Sequence, residues 1–108
     1  MSQSEDLFKG IEMFFAAYPE RLPNDLYLSG ESYAGIYLPY LAWQIYQSNL
    51  QYNTTNAGET TPVGTFYNLK GMAVGNGATD WDFDNAPSVP QTMWGFNMIT
   101  TANYTAYN

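Results

Sequence analysis

The chain has 108 residues, 45% of them hydrophobic and 18% aromatic, enough for one modest core and suggesting one domain or part of one. Ten acidic residues, three basic ones and no histidine give a formal net charge of −7, which repels phosphate backbones and anionic membranes and so disfavours nucleic-acid binding. With no cysteine there is neither a disulfide framework nor a thiolate metal site. No apolar run reaches the length of a membrane span, and the first residues lack a signal-peptide pattern.

Residues from about Ser4 to Tyr18 read as an amphipathic helix. Leu7, Ile11, Phe14, Phe15 and Tyr18 form its apolar stripe, and Glu5, Lys9, Glu12 and Ala16 fall largely off it. Ser2 with Glu5 three residues on fits a capping box, and Pro19 ends the pattern. After a turn, a short strand is expected from about Asp25 to Ser29. It runs into Gly30-Glu31-Ser32-Tyr33-Ala34-Gly35, small residues around one serine, and a long helical pattern follows. Strand, tight turn carrying a serine, then helix is the layout of a nucleophile elbow. The turn leaves room only for small residues two positions from the serine, here Gly30 and Ala34. Such a turn lifts the Ser32 hydroxyl clear of the sheet and aims the Tyr33 N–H at the site where a tetrahedral oxyanion forms.

The helix is expected from Ser32 or Tyr33 to about Ser48, with Ile36, Leu38, Leu41, Ala42, Ile45 and Tyr46 on its apolar face. Pro39 deletes one of its hydrogen bonds and should bend it. Asn49 to Thr65, polar and aperiodic, reads as a surface loop containing Asn53. A second strand, within Asn68 to Gly77, ends in glycines; strand, helix, strand implies a parallel pair with a right-handed crossover. From Asp80 regularity is lost through Pro87 and Pro90, and a helical pattern resumes from Met93 to Tyr107 around Trp94, Ile99 and Tyr104.

Gly30-Glu31-Ser32-Tyr33-Ala34-Gly35 with Tyr37 and Pro39 resembles the nucleophile motif of the serine carboxypeptidases, an α/β-hydrolase family. Asn68-Leu69-Lys70-Gly71 with Gly75-Asn76-Gly77 resembles a second segment of that family. The resemblance implies an α/β class chain: a partial hydrolase core over residues 1–83 and the start of a cap insertion over 84–108. It implies Ser32 as nucleophile, Tyr33 N–H as one oxyanion donor, and Glu31 as a ligand of the substrate's terminal carboxylate. The implied reaction releases the C-terminal residue of a peptide through an acyl-enzyme, without cofactor. The implied place is the lysosome or vacuole, or outside the cell. The chain contains no histidine, and the family's acid lies beyond the cap insertion, so this stretch reads as a fragment or a truncated gene model, inactive by itself.

Other motifs carry less. Gly71, Gly75 and Gly77 lack phosphate-loop spacing, and close packing of a strand end accounts for them better. Asp80, Asp82 and Asp84 resemble the start of a calcium loop, but the sixth position is Asn85 and the twelfth Gln91, so no metal is expected. Two sequons, at Asn53 and Asn103, permit N-glycosylation in a secretory compartment. Two further function classes stay open. One is an acyltransferase or esterase on the same scaffold; the other is a non-catalytic truncated homologue.

Overall fold

A computed structural model describes residues 3–85 and 88–107. Ser2, the first half of the expected capping box, lies outside them. The chain divides into two compact units, residues 1–77 and 78–108.

In the first unit, helix α1 (Gln3–Ala17) stops before Pro19, whose ring cannot continue it, and a single 3-10 turn, Pro19–Arg21, leads toward strand β1 (Leu26–Glu31). The α1 stripe is rotated from the expected one. Ser4, Phe8, Ile11 and Phe15 face the core, whereas Leu7, Phe14 and Tyr18 lie exposed on the flank. Both sets have helical spacing, and only the position of the neighbouring helix selects between them.

Helix α2 (Ala34–Thr55) ends seven residues beyond the expected Ser48 and takes in Asn53, which therefore stands on a helix rather than in a loop. Ala34, Leu38, Leu41 and Ile45 make its buried stripe. Tyr46, assigned from sequence to that face, instead lies exposed and stacks on Trp43 with ring centroids 5.4 Å apart. Pro39 is accommodated within the helix.

Residues 56–68 stay irregular but are bound to α2 by two asparagines. The Asn49 amide donates to the Tyr67 carbonyl (2.7 Å) and accepts from the Tyr67 N–H (2.8 Å). Asn56 does the same with Val63, at 3.0 and 2.7 Å. Each side chain thus supplies the donor and acceptor that a neighbouring strand would supply. The first clamp seats Tyr67 in the core, its ring 5.7 Å from those of Phe8 and Phe15. Burial there, reinforced by the Glu12 carboxylate, pushes its phenol above the ordinary value.

Strand β2 (Leu69–Gly75) pairs with β1 in parallel, from Leu26↔Leu69 to Glu31↔Gly75, with an irregularity between Leu26 and Tyr27. Leu26, Leu28 and Gly30 point toward the helices, and Tyr27, Ser29 and Glu31 point to the open face. Ile45 is fully buried beneath this layer. Ile45→Ala is expected to lower unfolding stability by about 2–5 kcal/mol, because the truncated side chain leaves a cavity that helix and sheet cannot both close. The urea midpoint should fall at an unchanged slope; a loss under about 1 kcal/mol would mean that the site collapses freely.

The second unit contains a single π-helical turn (Trp81–Asn85), helix α3 (Ser88–Gly95) and helix α4 (Thr101–Tyr107). The continuous helical pattern expected from Met93 to Tyr107 is broken by Asn97, which takes a left-handed conformation, φ 57°. Asn97 and Met98 donate back to the carbonyls of Trp94 and Met93, a paired closure that ends α3. The Thr100 hydroxyl then accepts from the Asn103 N–H and starts α4. Trp94 stacks on Tyr104 at 4.9 Å across the turn. Among the described residues no helix is long and apolar enough to cross a membrane.

Candidate active site

The site grows out of the end of β1. Glu31 is the last residue in register with β2, and the Ser32 N–H extends the ladder by one bond to the Gly75 carbonyl, at 3.0 Å. The chain then turns at Ser32 itself, which has φ 59°. A side chain in this left-handed region costs roughly 1–3 kcal/mol, a cost that persists only where the surroundings hold the residue in place. The carbonyls of Ser32 and Tyr33 accept from Gly35 and Ile36, at 3.1 and 3.0 Å, so α2 begins at once.

The tightness of this turn is visible in its small residues. A Cβ on Gly30 would lie 2.5 Å from the Ala34 Cβ and 3.1 Å from Leu38 Cδ1. The two positions expected to be small face each other across the strand–helix junction. Glu31, Ser32 and Tyr33 are all exposed at the surface. Among the described residues the Tyr33 N–H donates to no partner. Its ring lies 6.2 Å from that of Tyr37, one helical turn on.

The end of β2 completes the arrangement. Asn76 has φ 44°, and a Cβ on Gly77 would meet Val74 Cγ1 at 2.5 Å and the Gly35 Cα at 3.6 Å. Close packing therefore accounts for Gly77. It does not account for Gly75, where an added Cβ would meet nothing within 4 Å, and a Cβ on Gly71 would make only ordinary contact with the Tyr27 ring. The sequence reading gave Asn76 no role, although an asparagine between glycines after a strand signals a left-handed turn.

Elsewhere the acidic cluster is absorbed by its own backbone. Asp84 accepts from the N–H groups of Asp80 and Thr79 and from the Thr79 hydroxyl, which hold its carboxyl below the usual range. Asp80 accepts from the N–H groups of Asp82 and Phe83. Asn53 is exposed in the last turn of α2, and Asn103 is exposed in α4.

Comparison with known proteins agrees with this architecture. The family model described as serine carboxypeptidase matches residues 1–108. Serine carboxypeptidase 3 of Triticum aestivum is 42% identical over 105 residues, covering 97% of this chain and 19% of the relative. The pheromone-processing carboxypeptidase of Kluyveromyces lactis is 34% identical over 101 residues, covering 94% and 16%. The crystal structure of a prohormone-processing carboxypeptidase from Saccharomyces cerevisiae superposes with a TM-score of 0.63 at 29% identity, covering 95% of this chain and 20% of that one. The chain thus spans about a fifth of the length of these relatives. With a family match over all 108 residues of the chain and a shared α/β arrangement, the chain belongs to the serine carboxypeptidase family.

Proposed function

We propose that the turn at Ser32 is a nucleophile elbow and that this segment supplies the attacking serine of a carboxypeptidase. The observation that carries the reading is the left-handed Ser32, exposed between a parallel strand and the helix that follows it. In this reading Ser32 Oγ attacks the last peptide carbonyl, giving its proton to a histidine that this chain does not contain. The Tyr33 N–H, without a partner among the described residues, is one donor to the oxyanion. The peptide C–N bond then breaks, the histidine passing its proton to the amine of the departing C-terminal residue, and water hydrolyses the acyl-enzyme to free the shortened peptide and the serine. Residues 1–83 would be part of the hydrolase core and 84–108 the start of the cap.

Exposure of Asn53 and Asn103 is compatible with N-glycans, and so with a vacuolar, lysosomal or extracellular place. The test is to exchange this segment for the matched residues of the full-length wheat relative, then follow peptide turnover and covalent labelling of Ser32. An acyltransferase or esterase would show itself by consuming ester donors while leaving blocked dipeptides intact.

Glu31 is proposed to bind the substrate's terminal carboxylate. Its position at the end of β1, beside the serine and pointing to the open face, supports this. Two carboxylates bind each other only through a shared proton, so binding should weaken as pH rises and that proton leaves. In the exchanged enzyme, Glu31→Gln is expected to raise KM for free-acid peptides at acid pH and to flatten the rise of KM toward neutrality. Peptide amides should respond little. If KM against pH for free-acid peptides is the same in both proteins, Glu31 is only a turn residue.

A further inference from the structure

Among the described residues of the first unit, two non-glycine residues adopt left-handed backbone conformations, Ser32 and Asn76, and they belong to the same junction. Ser32 donates its N–H to the carbonyl of Gly75, the residue just before Asn76. Gly77, just after it, lies against the first turn of α2, with the Gly35 Cα 3.6 Å from its ideal Cβ position. Asn76 therefore spans two anchors. On one side is the carbonyl that tethers the serine; on the other is the glycine seated on the helix that the serine begins. Reaching both requires the left-handed turn that φ 44° provides, and asparagine tolerates this region better than any β-branched residue.

We infer that Asn76 is a positioning residue for the nucleophile: its left-handed backbone aims the Gly75 carbonyl at the Ser32 N–H and so holds the serine in its strained turn. The inference rests on the reading of Ser32 as nucleophile. A β-branched side chain at 76 would drive φ to negative values and rotate the Gly75 carbonyl away. Ser32 would then relax, and its hydroxyl would leave the line between base and substrate carbonyl. Glycine at 76 keeps the turn and removes only the amide.

The experiment uses the full-length exchanged enzyme and diisopropyl fluorophosphate. This reagent forms a bond from Ser32 Oγ to phosphorus and expels fluoride, while the serine proton passes to the general base. The second-order rate constant of labelling reads the aim of the serine in each folded molecule, whereas a loss of stability alone lowers the labelled amplitude and leaves that constant unchanged. Asn76→Gly is expected within about threefold of the unsubstituted enzyme, and Asn76→Val slower by about tenfold or more, with kcat falling in parallel and KM nearly unchanged. Should the valine variant not fold, Asn76→Ala carries the same comparison with a smaller expected loss. A labelling constant for the valine or alanine variant equal to that of the unsubstituted enzyme overturns the inference. So does a glycine variant as slow as the others, which would assign the effect to the amide side chain. Either result leaves the serine's own role standing, whereas an unsubstituted enzyme that takes no label at Ser32 overturns both.

Discussion

Replacing Ser32 by alanine in the exchanged full-length enzyme is expected to lower kcat by about a million-fold, the scale seen when a serine hydrolase loses its nucleophile. Without the hydroxyl no acyl-enzyme forms, and what remains is what the oxyanion donors and substrate binding supply, roughly 10³–10⁴ over water. KM should change little, since the hydroxyl contributes to the transition state rather than to ground-state binding. Fold is monitored by circular dichroism and turnover by release of a C-terminal residue. Retention of even one part in a hundred of kcat would remove Ser32 from the mechanism.

By the same reasoning the 108-residue chain alone should turn over nothing, because it has no histidine to take the serine proton. It should also associate readily. Among the described residues its sheet has two strands, each with an unpaired outer edge, and Tyr27 stands exposed on the open face.

Gly30→Ala is expected to cost both stability and activity, although it adds one methyl group. The obstructing atom 2.5 Å away is the Ala34 Cβ, fixed directly to the backbone of α2, so it cannot swing aside. Strand and helix must separate, at a cost toward the upper end of the roughly 1–3 kcal/mol typical of overpacking. A shift of about 1 Å at the serine costs turnover about a hundredfold. The specific check is the double variant Gly30→Ala with Ala34→Gly, which moves the methyl from helix to strand. Glycine in the helix should itself cost about 1 kcal/mol. Even so, the double variant should be more stable than Gly30→Ala alone, giving a coupling energy well outside the additive range. Strict additivity in urea unfolding would show that the two positions do not meet.

Much of this architecture is legible in the sequence because it depends on local chemistry. Pro19 ends α1 since its ring forbids continuation, the apolar run before Gly30 reads as a strand, and the small residues around Ser32 mark a turn with no room for side chains. The glycine-ended strand after a long helix implies the parallel pair. What the sequence leaves open is whatever depends on the partner across space. Two stripes on α1, both containing Ile11 and Phe15, have equal claim to the core by periodicity, and packing against α2 selects the one with Phe8 over the one with Leu7, Phe14 and Tyr18. Asn49 and Asn56 are turn formers by propensity, yet one lies within α2 and the other closes its end, their amides engaged by backbone groups 18 and 7 residues away. A side chain's choice between its own backbone and a distant one is a tertiary decision. Asn76 is of the same kind. Its left-handed tendency is a property of asparagine, but its place between the serine's tether and the seat on α2 exists only once β1 and β2 have paired.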